Sequence, residues 1–392
     1  FSDRQVSSVK KQRIKCEVAA MKNTQSTVSN KKRNMTLSAI AILIIIGILI
    51  FLESNSAQHN YAISIIERSL IYAVVAVAMN LLTGFTGLFS LGQAGFMAIG
   101  AYTVAIFTIP VETRPNVYYI SGISDAIANI QLPLPVALIL GGIFAALLAA
   151  LIGIPVLRLK SDYLAIATLG ISEIIRALIS APQMDRITNG SYGLKNIPGF
   201  SNIFVPTIIA AICIGIMVLV INSSYGRAFK AIRENDIAAE AMGINLFKHK
   251  ELSFVISSFF TGIAGGLLAV YMRSIDAKTF QVTLTYNILL MVVIGGIGSV
   301  TGSIIGAFLV NCGQEWLRFF DEPLMIAGVQ IPFFRTGFRM VIFSILLMVV
   351  VLFYRRGIMG NNEFSWDGLG RLIKSIPAKF TRKKANKSGG EN

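Results

Sequence analysis

No lysine follows a glycine anywhere in this chain, so the phosphate-cradling loop G-x-x-x-x-G-K-[ST] is absent. The chain therefore carries no P-loop nucleotide site of its own. Histidine is nearly missing: His59 and His249 are the only two and lie in separate polar stretches, which excludes an imidazole metal cluster. Cys16, Cys213 and Cys312 are far apart, and two of them sit in apolar runs. They read as small buried hydrophobes rather than a disulfide or thiolate site. Neither a metal nor a cofactor is expected. Charge is scarce too, at 14% of 392 residues, where a soluble domain has roughly a quarter.

What fills the space is uninterrupted apolar sequence. Residues 69–111, 126–157, 196–226, 252–272 and 279–314 contain no Asp, Glu, Lys or Arg. Each equals or exceeds the roughly 20 residues a helix needs to cross hydrocarbon. Shorter apolar stretches at 36–52 and 333–354 complete the set. The expected fold is an all-α polytopic membrane protein of eight to ten transmembrane helices. The net charge of +15 follows the same plan: nine Lys/Arg fall in residues 1–35, nine in 355–392 and five in 223–250. Basic residues gathered in the termini and one loop are what the positive-inside rule predicts for cytoplasmic segments, so attraction to lipid replaces nucleic-acid binding as their reading. Three regions result: a basic, disordered cytoplasmic tail over 1–35, a transmembrane domain over 36–354, and a basic cytoplasmic tail over 355–392. Within the first, Met21 opens a plausible start, which would make residues 1–20 an extension.

Glycine-rich breaks interrupt two apolar regions. Residues 83–95 carry Thr83, Gly84, Thr86, Gly87, Ser90, Gly92 and Gln93, and residues 295–302 carry Gly295, Gly296 and Gly298. One break per half points to an inverted repeat, as in many transporters. Irregular backbone at membrane depth is tolerated only where protein or a water-filled cavity satisfies it, so these residues are candidates for a translocation pathway. Tight helix packing through small residues is the competing reading. Glu173/Arg176 and Glu315/Arg318 are i,i+3 pairs that can neutralise themselves on one helix face, which favours structural ion pairs over a proton relay.

The polar island 223–250 lies between two charge-free runs. Its pattern predicts a helix over 225–242 with Gly243 as C-cap, too short to span a bilayer and offering a low-relief surface of alanines to a partner. The stretch E-N-D-I-A-A-E-A-M-G-I-N resembles the EAA-type cytoplasmic coupling loop of bacterial ABC importer permeases, in the branched-chain amino-acid (LivM-like) form. N-L-L-T-G-F-T-G-L-F-S-L-G-Q-A-G-F at 80–96 is similar to that family's most recognisable segment. T-N-G-S-Y-G-L at 188–194 is similar to its T-G-G-x-x-G-L loop, with Asn189 departing from the pattern.

The resemblance covers residues 37–354. It implies a permease subunit that works with a second homologous permease, two ATPase subunits and an extracytoplasmic binding protein. The substrate class it implies is branched-chain or related amino acids. Residue by residue, it assigns ATPase coupling to Arg227, Arg233, Ala238, Ala239, Glu240 and Gly243. Docking of the binding protein falls to Thr188, Asn189, Gly190 and Gly193. The residues alone leave two other classes open: a secondary transporter driven by an ion gradient, and a passive channel for a small neutral solute such as urea.

Overall fold

The computed structural model describes residues 36–317 except 39, 42, 121 and 160, and beyond them 325–326, 329–330, 341–342, 344–345, 348, 357–360 and 363. The chain divides into two units, Phe1–Asn55 with Phe364–Asn392, and Ser56–Glu363. In the first, the described residues form one apolar helix, α1 (Thr36–Ser54). The last apolar span lies largely outside the described residues, and both basic tails lie outside them apart from a few positions.

The described residues of the second unit are mostly helical. In chain order it comprises α2 (Ser56–Asn80), α3 (Gln93–Thr108), α4 (Arg114–Val117), α5 (Asp125–Ala128), α6 (Leu134–Val156), α7 (Ser161–Ile179) and α8 (Asp185–Thr188). Then follow α9 (Phe204–Asn222), α10 (Ser224–Glu234), α11 (Asp236–Ala241), α12 (Leu246–Met272), α13 (Val282–Gly295) and α14 (Val300–Trp316). The one sheet among the described residues is a two-residue antiparallel pair, β1 (Met325–Ile326) with β2 (Val329–Gln330). Among the described residues of the whole chain, α1 included, five helices are long and apolar enough to cross a membrane, or up to seven if each of two bent helix pairs is one span.

The core forms where α12 packs against α3, α6 and α2. α3 and α6 carry no charged residue, and the charges of α2 and α12 fall at or before their midpoints, which leaves the packed turns apolar all round as in buried membrane helices. Ile71, Val74, Met79, Leu81, Ala264 and Leu267 have no exposed surface. Small residues set the approach: a Cβ on Gly100 of α3 would overlap the backbone of Gly262 in α12. Bare glycine lets the two backbones touch, which is how dispersion contacts accumulate where no water drives association.

The island departs from the single helix that its pattern predicts. Asn235 is extended (φ −163, ψ 109) and splits it into α10 and α11, and its side chain accepts the Ala238 N–H at 3.0 Å as the N-cap of α11. Gly243 takes φ 85 after α11, a left-handed conformation that costs glycine little.

At the far end of the helices, Arg114 is 2% exposed, although it stands in a loop by sequence. Its guanidinium donates to the carbonyls of Ile106, Ile109, Ile127, Ala128 and Ile130. One cation thereby satisfies carbonyls left open where α3 and α5 end.

Candidate functional site

The two glycine breaks, 200 residues apart in sequence, meet in space. Asn80 joins them. Its Nδ2 donates to Ser299 O at 2.9 Å and to Ser303 Oγ at 2.7 Å, while its Oδ1 accepts the Gly298 N–H at 2.8 Å. Asn80 is wholly buried, so these bonds replace water that the site excludes. Directly after it α2 widens into a π-turn, Leu81–Phe85. Thr83 Oγ1 and Thr86 Oγ1 bond back to the carbonyls of Met79 and Leu81, at 2.8 and 3.1 Å. A Cβ on Gly84 would lie 2.5 Å from the Gly298 nitrogen, which explains glycine at that crossing.

Beyond the π-turn the chain runs without helix to Gln93. Hydroxyls of neighbouring helices satisfy its open amides: Leu91 N–H donates to Thr168 Oγ1 at 3.0 Å and Ala94 N–H to Thr285 Oγ1 at 3.1 Å. Gln93 Oε1 accepts from Thr261 Oγ1 at 2.6 Å, near the middle of α12. Ser90 and Gln93 are buried, and the Ser90 hydroxyl accepts the Gly92 N–H at 3.4 Å. Irregular backbone at this depth is thus held by side chains from three other helices.

The second break turns through Gly296 (φ 124) and Gly298 (φ 89). Its carbonyls are taken up by residues far along the chain, Ile358 N–H donating to Ile294 O and Met359 N–H to Gly295 O. Glu363 closes the N-terminus of α14, accepting from Val300 N–H at 2.8 Å and Thr301 N–H at 3.1 Å. A carboxylate there is favoured by the helix dipole as well as by the bonds.

The island rests on the first break. Arg233 Nη1 donates to Gly84 O at 2.7 Å, and its Nη2 pairs with Glu234 at 2.5 Å. Gly87 (φ 79) packs against the Arg233 stem, and Lys230 Nζ stands 5.5 Å over the Phe85 ring. Lys250 pairs with Asp236 at 2.7 Å, tying α11 back to α12. Of the coupling candidates, Arg227, Ala238, Glu240 and Gly243 are exposed, and Arg233 is half-buried against the break. Ala239 is 4% exposed, so it faces the protein and does not form part of an outward alanine surface. Instead Ile237 and Met242 stand out, 81% and 83% exposed. Sequence periodicity missed them because the helix break at Asn235 resets which face α11 presents.

Between the two breaks and α10 lies a cavity of about 480 Å³. Phe85, Lys230, Arg233, Gly298, Thr301 and Glu363 line its polar end.

The 188–194 loop lies apart from this cluster. Thr188 and Asn189 are buried: Thr188 Oγ1 donates to Ile179 O at 2.7 Å, and Asn189 Nδ2 donates to Gly193 O at 2.7 Å and Val117 O at 3.0 Å. Asn189 is left-handed (φ 57), a conformation asparagine tolerates, and Gly190 and Gly193 have positive φ. These four residues shape the loop. Its exposed features are Tyr192 and, stacked edge-on at 6.5 Å, Tyr119.

Of the two i,i+3 pairs that the sequence suggests, only the first lies wholly within the described residues. Arg176 and Glu173 approach to 2.6 Å. Glu315 pairs with Arg68 of α2 at 3.2 Å, while Arg318 lies outside the described residues. Among the described residues no group of three His, Cys, Asp or Glu side chains could hold a metal ion.

Apolar crossing helices, two interlocked backbone breaks and a charged helix pair seated on one of them define a multi-pass membrane permease. The family model for the branched-chain amino acid transport system permease component matches residues 61–352, and the chain belongs to that family. It is a transport component rather than an enzyme. It is 32% identical over 342 residues to the high-affinity branched-chain amino acid transport system permease protein LivM of Escherichia coli, covering 78% of this chain and 73% of that protein. The LivM of Salmonella typhimurium matches with the same identity and coverage. A probable LivM of Methanocaldococcus jannaschii is 26% identical over 334 residues, 79% of this chain and 96% of that protein. No solved structure gives a significant match.

Proposed function

We propose that this chain is the membrane subunit of an ATP-driven importer of branched-chain or related amino acids, which reach it from an extracytoplasmic binding protein. It pairs with a second homologous permease and with two ATPase subunits, since it has no nucleotide site of its own. Of the eight to ten spans expected, a count of ten, five in each half of an inverted repeat, puts both termini and the island in the cytoplasm. The α2–break–α3 and α13–break–α14 segments are the repeated units, and the residues of both breaks border the pathway.

The observation that carries this reading is the seat of α10 on the first break through Arg233 and Gly84. A force applied to the island reaches the break in one hydrogen bond, and Asn80 carries it to the second break. Arg227, Ala238, Glu240 and Gly243, with Ile237 and Met242, face the ATPase. Thr188, Asn189, Gly190 and Gly193 hold the loop on which the binding protein docks, with Tyr119 and Tyr192 as its contacts. Co-purification tests the assembly: an ATPase subunit is recovered with the wild-type chain, and its absence would remove the proposal.

One observation favours ion coupling instead. Glu251 Oε2 in the second turn of α12 is buried without a hydrogen-bond partner, against Gly153 of α6. Buried carboxylates of this kind serve proton relays in other transporters. Glu251→Gln separates the readings: an ATP-driven importer keeps its uptake, and a proton-driven one loses it.

A further inference from the structure

The cavity beside the island has a direction. On α9, Ile214, Val218 and Ile221 line one wall at spacings of four and three, and Ile304 of α14 lines the other. Both walls become apolar moving away from the helix ends, where Lys230, Arg233 and Glu363 sit. The slot along α9 from Asn222 to Ile214 is about 12 Å long at 1.5 Å per residue. The adjoining face of α9 exposes Ile212, Ile216 and Leu219, as a helix facing hydrocarbon does.

The charges at the polar end differ in what answers them. Arg233 is neutralised by Glu234. Glu363 is engaged by the Val300 and Thr301 amides and by the Thr301 hydroxyl at 2.8 Å, at a helix end that itself favours negative charge. Lys230 has the Phe85 ring and no carboxylate partner among the described residues. Among the described residues Lys230 is therefore the one charge lining the cavity that neither an opposite charge nor backbone amides answer.

We propose that this cavity binds an anionic phospholipid of the leaflet on the island's side, its phosphate on Lys230 and an acyl chain in the slot between α9 and α14. The gradient from charged to apolar runs in the sense in which a leaflet lipid lies. A free inorganic anion would leave the apolar walls unused. A lipid here touches α10 and both breaks at once.

Native mass spectrometry of the full chain, purified with its associated subunits, tests this. Phosphatidylglycerol and phosphatidylcholine of identical chains are added in equal amount. The wild type should retain the anionic lipid by about fivefold or more over the neutral one, the worth of one basic group at a membrane surface. Lys230→Gln should bring the ratio close to one. Lys248→Gln, an exposed cation of the same island outside the cavity, should leave it unchanged. Val218→Trp, which fills the slot without altering charge, should lower retention of phosphatidylglycerol. Equal retention by the wild type, or a preference untouched by Lys230→Gln and Val218→Trp, would overturn the proposal. So would release of the lipid by millimolar leucine, which would make the cavity a site for a soluble zwitterion.

Discussion

Arg233 and Gly84 are 149 residues apart, yet the guanidinium of one donates to the carbonyl of the other at 2.7 Å. The bond links a helix outside the apolar body to a backbone break within it. Replacing Arg233 with alanine removes the link and leaves the helix intact. Uptake should fall roughly 5- to 150-fold, the range of typical coupling energies, while membrane levels and ATPase association persist. Transport assays paired with pull-down check both halves.

Asn80 holds the breaks together, and its loss is a stability matter. Asn80→Ala strands the buried Gly298 N–H, at about 1–3 kcal/mol for an unpaired group, while the Ser299 carbonyl keeps the Ser303 amide and hydroxyl. Asn80→Asp retains the acceptor and loses both donated bonds. Thermal unfolding in detergent should rank wild type above Asp and Ala, and an unchanged midpoint for Asn80→Ala would contradict the buried geometry.

Two neighbouring alanines should behave oppositely. Ala239 is buried, so Ala239→Trp overpacks the island and costs about 1–3 kcal/mol. Ala238 is exposed, so Ala238→Trp leaves stability alone and instead displaces the ATPase partner. Unfolding midpoints and co-purification, measured on both variants, separate the effects.

The Glu173–Arg176 pair is expected to be structural. Exchanging the two residues should keep most uptake, because the i,i+3 geometry survives the swap. Uptake abolished by the swap at normal expression would assign the pair a direct part in transport.

The long apolar helices were legible because each is bounded by charge or proline: residues 126–157 free of charge resolve into α6, and 196–226 into α9. The breaks were legible too, from glycine density. Their meeting was not, since it depends on Asn80, a lone amide in an apolar stretch whose partners lie more than two hundred residues away. Arg114 was hidden for a similar reason: its five acceptors are backbone carbonyls, which carry no residue signature. The Asn235 break was open to a closer reading of local chemistry, because E-N-D is a ready N-cap, but the helical period across it masks the stop. Glu251 stands one residue past the polar island in sequence, and only its packing against Gly153 shows Oε2 buried.

The measurement that bears most directly on the account is uptake into proteoliposomes holding the full chain and its associated subunits. Binding protein and radiolabelled leucine are supplied outside, ATP is varied on the island's side, and ionophores collapse all ion gradients. The account predicts accumulation that requires ATP and continues without any gradient. Accumulation that follows a proton gradient and ignores ATP would contradict it.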